Sequence, residues 1–436
     1  MINFQSSFQK IKDEIKKDKQ ENFFNIFFIL FLVSIPLPHT LNNFFGALFL
    51  ISNLISIKKN GYVNKYLFLP IFLFLLMLLS LIYTVDKSET VKAIIKEFPL
   101  LIVPLVFILN GKKYRINKQM IVKTYSYSIV LFSIYFLFKA FISFLYSNNF
   151  NVFLSHDLVS KELNAIHVSV FVSTAFFYFL VKDTKKTADY FLAVYLFIFL
   201  LLLSSKIIIF TTLVLVAIYF FFYSKSANKM RLRNLTIIIT VFIGFLYFGK
   251  IKEKLLFEFK IKAESNIGHT VINKKNIGSN IISMKEAWYN EKFNQTDYFS
   301  GSSFRVYQAR MFFEFLQEEN IFWKGFGLNA SYKKLEEKGI HYNVFQGNNE
   351  VEGYQKKNFH NQYIQIFAEL GVFGFLILVL ILFFNLKNAI KHKDFIHIAF
   401  AVLMISLFLT ESFLWRQRGV VFFTLFYCLF NNTKKE

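Results

Sequence analysis

His360-Asn361-Gln362-Tyr363 stands where a long polar loop turns back into an apolar run, and a second histidine, His167, opens another such run. A neutral imidazole at a membrane interface stays partly hydrated and can accept a proton, so His360 is a candidate general base. Inside the loop, Arg305 falls in the first turn of an expected helix, with Arg310 five residues on. A guanidinium beside a helix N-terminus is suited to a phosphate. Lys206 interrupts a continuous apolar stretch at Ser204-Ser205-Lys206, and Glu411, Arg416 and Arg418 separate the last two apolar runs. Ionisable side chains in such positions pair with one another or face a cavity. One base among several cations, all falling on one side, points to chemistry on a lipid-anchored, phosphate-bearing substrate.

Each residue also has an ordinary reading. His360 can anchor a helix at the interface, and Arg305 or Arg310 can be solvated and paired with Glu314. Lys206 can snorkel from a tight hairpin, and Glu411 can pair with Arg416. Lys139 lies inside an expected span without an assigned partner, and Glu369 lies within another. Gly244-Phe-Leu-Tyr-Phe-Gly249-Lys250 spells most of a phosphate-binding loop. It lacks the following Ser or Thr and sits inside a hydrophobic run, so it is rejected. No Cys/His cluster has metal spacing, and Cys428 is the only cysteine, so neither a metal nor a cofactor is expected.

The elements that position these residues are helices in a membrane. Hydrophobic residues make up 55% of the chain, in long blocks without strand-like alternation. Backbone groups in lipid must be satisfied within their own segment, which selects helices over a barrel. The expected fold is all-α and polytopic, with about twelve spans. They lie near 22–38, 41–57, 66–83, 98–110, 126–147, 166–182, 190–205, 206–223, 235–249, 364–386, 396–413 and 419–430. A cytoplasmic amphipathic segment, 1–21, precedes them. A large, partly helical extracytoplasmic loop, 250–363, divides the first nine spans from the last three, and 431–436 form a cytoplasmic tail. The net charge of +22 does not point to nucleic acid, because the basic clusters punctuate the spans mostly on one side. That side is cytoplasmic; the connection holding Lys87, Lys92 and Lys96 is the exception. In the loop, Ser303 is the expected N-cap of a helix from Phe304 to about Asn320, Gly325 and Gly327 mark a tight turn, and 263–300 read as irregular.

These motifs resemble the O-antigen ligase and polymerase family of bacterial envelope glycosyltransferases. His360-Asn361-Gln362-Tyr363 through Glu369-Leu370-Gly371-Val-Phe-Gly374 is similar to that family's return from its large loop. Phe304-Arg305 with Lys324-Gly325-Phe-Gly327, and Thr410-Glu411-Ser412 through Gln417-Arg418-Gly419, resemble its second motif and its closing hairpin; Ile166-His167 and Ser204-Ser205-Lys206 are weaker matches. Two departures stand out: Lys206 where an arginine is usual, and Ala309 where an aromatic residue is expected. The resemblance implies a metal-independent enzyme of the inner membrane with its site facing the periplasm. Such an enzyme moves a glycan from undecaprenyl diphosphate to a hydroxyl of lipid A–core. His360 would be the base, and Arg305, Lys206, Arg310, Arg418, His167 and Glu411 would bind diphosphate or acceptor. A polymerase that passes the same donor glycan to another repeat unit is the alternative. A secondary transporter or flippase is a remoter one, since the two halves do not match and the charges crowd one surface.

Overall fold

The computed structural model describes residues 23–54, 64–110, 117–160, 162–224, 228–246, 280–348 and 351–432. The expected N-terminal amphipathic segment and the loop stretch 250–279 lie outside them. Helices α1 Phe23–Val33, α2 His39–Leu54 and α3 Phe68–Leu79 come first. Single 3-10 turns extend α3 into a continuous run from Lys65 to Ile82. They are followed by α4 Lys87–Glu97, α5 Pro99–Asn110, α6 Lys118–Ser147, α7 Ala165–Val181 and α8 Thr187–Leu202. Next come α9 Lys206–Ile218, prolonged by a π-turn to Tyr223, and α10 Asn228–Leu246. The loop contributes α11 Met284–Tyr289, α12 Gly301–Glu318 and α13 Ser331–His341. Helices α14 Gln362–Lys391, α15 Phe395–Phe408 and α16 Gln417–Asn431 close the chain.

The protein is all-α apart from one parallel pair of two-residue strands, β1 Ile281–Ile282 and β2 Tyr298–Phe299, among the described residues. A helix coincides with each expected span. Among the described residues, four helical runs, Lys65–Ile82, Lys118–Ser147, Lys206–Tyr223 and Gln362–Lys391, are long and apolar enough to cross a membrane. Their outward faces carry exposed apolar side chains, such as Leu131, Phe138, Phe210 and Phe373. Water would penalise that surface and lipid would not.

Two connections differ from expectation. Lys87–Glu97 is a helix, capped by Asp86, whose Oδ1 accepts from Glu89 N at 3.0 Å. Residues 280–300, expected to be irregular, contain the strand pair and α11. Ser283 and Glu286 close a capping box at the start of α11, bonding reciprocally across its first turn.

The loop folds into a lobe with its own core. Phe293, Phe299, Phe304, Tyr307, Met311 and Phe315 are buried there, and Phe299 meets Phe304, Tyr307 and Tyr354 ring to ring. Each such ring contributes roughly 1.5–3 kcal/mol of burial. That core holds the lobe without a disulfide, since Cys428 is free and buried in α16.

Lobe and bundle are joined inside α14. At Gly371 (φ 66°, ψ −165°) the helix breaks. The 322–327 turn inserts there: Phe326 N donates to Ala368 O (2.8 Å), Gly327 N to Glu369 O (2.9 Å) and Val372 N to Phe322 O (2.8 Å). The turn supplies the partners that the broken helix lacks. A Cβ on Gly325 would lie 2.3 Å from the Glu369 carbonyl carbon, and one on Gly371 would lie 2.3 Å from Trp323 O. Both glycines also hold positive φ, which costs other residues more. The Gly-Phe-Gly turn and the Glu-Leu-Gly segment are thus two halves of one joint.

Candidate active site

The lobe-side start of α14 grips the connection between α15 and α16, residue by residue. Asn361 caps α14, its Oδ1 accepting from Tyr363 N (2.9 Å) and Ile364 N (3.1 Å), while its Nδ2 donates to Leu409 O at 3.2 Å. Gln362 Oε1 accepts from Leu414 N at 2.7 Å. Gln365 Oε1 accepts from Ser412 Oγ and from Phe359 N, each at 3.3 Å. From the lobe, Arg305 donates to Thr410 O through Nε (3.1 Å) and Nη2 (2.9 Å) and to Gly301 O through Nη1 (2.7 Å). Four side chains thereby fix residues 409–414.

That frame sets Glu411 against His360. The His360 Nδ1 lies 3.6 Å from Glu411 Oε1, longer than a hydrogen bond but within ion-pair range. The carboxylate side chain is 8% exposed and the imidazole 28%, so one is enclosed while the other reaches solvent. Burial pushes the Glu411 carboxyl up. The neighbouring His360, His167 and Arg305 more than offset it and hold the group below the usual carboxylate range. Burial also lowers Arg305, which Glu411 partly offsets. His360 itself sits at φ 47°, its amide donating to Asn358 Oδ1 and its ring meeting Phe304 edge-on at 5.7 Å. Such a backbone is uncommon for a non-glycine residue and fixes where the ring points.

The pairing of Glu411 with Arg416 does not form; Glu411 turns to His360, and Arg416 is exposed. The lobe helix begins at Gly301, capped by Ser300 rather than Ser303, and ends at Glu318. Arg305 therefore lies past the first turn, and its guanidinium reaches across to Thr410 instead of crowning the helix N-terminus. Arg310 is held within the lobe by Glu314 (2.8 Å), Asn290 O (2.6 Å) and Tyr342 Oη (3.0 Å). Arg418 is buried at the start of α16, donating to Glu162 O (2.6 Å) and Leu37 O (3.0 Å). The geometry of both is that of a strut.

His167 is buried in the first turn of α7, its ring 4.4 Å from that of Phe413, and its Nε2 has no hydrogen-bond partner. Lys206 begins α9, exposed, after a hairpin in which Ser204 takes φ 58°. Since α7, α8 and α9 alternate in direction, Lys206 lies at the same end of the bundle as His167. Lys139 is exposed on α6.

Sequence reading missed the parts played by Gln362, Gln365 and the Thr410 carbonyl. A signal was present: Gln365 and Glu369 stand four apart on one face of a largely apolar helix. Both are buried and bonded to each other, and each also bonds to Ser331 Oγ at 3.1 Å. Gly419 has a comparable explanation, since a Cβ there would lie 2.0 Å from Phe413 O.

Among the described residues, no group of His, Cys, Asp or Glu is arranged to hold a metal ion. The family model described as O-antigen ligase matches residues 191–379, a stretch that includes Lys206, Arg305, Arg310 and His360. Over that stretch the match supports the resemblance read from the motifs. No curated protein matches the chain.

Proposed function

We propose that this chain is a glycosyltransferase of the O-antigen ligase family that moves a glycan from undecaprenyl diphosphate to a hydroxyl of lipid A–core, on the extracytoplasmic face of a bacterial inner membrane. The observation that supports it most is the His360–Glu411 pair, with its imidazole partly open to solvent and its carboxylate enclosed. With Nδ1 turned toward Glu411, Nε2 is the nitrogen that receives the acceptor's proton. The freed oxygen attacks the anomeric carbon, the bond from that carbon to the phosphate oxygen breaks, and the diphosphate departs with the electron pair. Glu411 stabilises the imidazolium that results. Diphosphate is a good leaving group once its charge is met, so cations serve it better than an acid. Lys206 and the open edge of Arg305 take that part, Arg305 while also holding the Glu411 connection. Arg310 and Arg418 act as struts, and His167 packs behind Glu411.

The test is reconstitution of the full chain in proteoliposomes with undecaprenyl diphosphate-linked glycan. Lipid A–core and a second donor repeat unit are offered as competing acceptors. Glycosylated lipid A–core is the expected product. Lengthened donor glycan instead would establish the polymerase reading, and flux of intact donor without transfer would establish transport.

A further inference from the structure

A cavity of about 230 Å³ lies between α2, α5 and α16, away from the His360–Glu411 pair. Its walls include Ala47, Phe49, Ile95, Phe98, Val103 and Gln417. Ile95, Phe98 and Ala47 are exposed, so the cavity opens on the outer face of the bundle. Two cations adjoin its lining residues in the chain. Lys96 follows Ile95 in α4, and Arg416 precedes Gln417 at the cap of α16. The Lys96 ammonium sits 5.2 Å from the centre of the Trp415 ring, which in turn packs on Tyr332 at 5.2 Å. Among the described residues neither cation has a carboxylate within ion-pair distance. Arg416 is also within electrostatic reach of His167, beside the candidate site.

An apolar slot whose walls adjoin two cations without a carboxylate partner among the described residues is complementary to an amphiphile with a chain and an anionic head. The polyprenyl diphosphate donor proposed above is such an amphiphile. We propose that this cavity seats the first units of the polyprenyl chain, with Lys96 and Arg416 holding the adjoining phosphate. The inference rests on the polyprenyl diphosphate donor named above and adds where its lipid end is held. The glycan-bearing phosphate then lies toward Arg305 and His360.

Native mass spectrometry of the detergent-solubilised full chain tests it, with undecaprenyl diphosphate as probe and an anionic diacyl phospholipid as competitor. Ala47→Phe fills the slot from an exposed position, and the Lys96→Gln/Arg416→Gln double variant removes the charge. Each should weaken binding of the probe about tenfold or more, with unchanged elution and melting temperature showing that the fold persists. Wild-type binding that both variants retain in full would overturn this seat and leave the donor reading intact. Competition by the diacyl lipid at equal concentration would likewise overturn it. Failure of the wild-type chain to bind undecaprenyl diphosphate at all would remove the donor reading and the seat together.

Discussion

Arg305 holds the carbonyl of Thr410 through two nitrogens, Nε at 3.1 Å and Nη2 at 2.9 Å, one residue before Glu411. A lobe residue thus fixes the backbone that presents the carboxylate to His360. Arg305→Ala removes both that grip and a cation, and transfer should fall by roughly tenfold to a thousandfold. Arg305→Lys should rescue little, since an ammonium cannot reproduce the fork. Lys206→Arg should keep or raise activity. Initial transfer rates in proteoliposomes check all three, and full activity in Arg305→Ala would make that arginine a solvated bystander.

His360→Ala should lower transfer by about two to four orders of magnitude, the usual range for losing a general base. Donor binding should survive, because the cations proposed for the diphosphate are other residues. His360→Gln can bond the acceptor without taking its proton, so it should stay poor. An active alanine variant would move the base elsewhere.

Glu411 is held below the usual carboxylate range, so it binds its proton less readily folded than unfolded. Its contribution to stability is therefore present above that range and is lost as pH falls through it toward the folded value. Glu411→Gln should flatten this part of the acid dependence of the melting temperature. It should also slow transfer at neutral pH, where the imidazolium loses its counter-charge.

Gly371→Ala and Gly325→Ala each place a Cβ against backbone at 2.3 Å in a positive-φ conformation. Either should destabilise the chain by about 2 kcal/mol or more. Thermal melting in detergent measures the loss; unchanged melting in both would mean the joint can relax.

A topology reporter at Gln295 should read extracytoplasmic, and fusions at Lys118 and Lys391 cytoplasmic, as the loop charges require. A cytoplasmic signal at Gln295 would put His360 on the wrong side of the membrane.

The helical character and the position of each apolar run could be read from the sequence, because hydrophobic blocks of span length leave little choice in lipid. His360 and Glu411 were legible as types in suspicious places, but their pairing was not. It depends on Asn361, Gln362 and Gln365 gripping a connection some fifty residues away, and no local pattern encodes that. The pairing of Arg310 with Glu314 was among the sequence readings, but the rest of its setting was hidden for a related reason. Its neighbours Asn290 and Tyr342 come from segments whose folding around an aromatic core, without a covalent staple, composition alone did not reveal. The glycines of the 325–327 turn signalled a bend correctly, while the break they impose on α14 needed the third dimension.

The splice at Gly371 makes the lobe a stator rather than a lid. Its turn completes the hydrogen-bond ladder of α14, so the lobe cannot swing away without opening a helix at the membrane boundary. The amides of Phe326, Gly327 and Val372 should therefore exchange with solvent as one unit. Access to His360 would then not wait for the lobe to lift away at this joint.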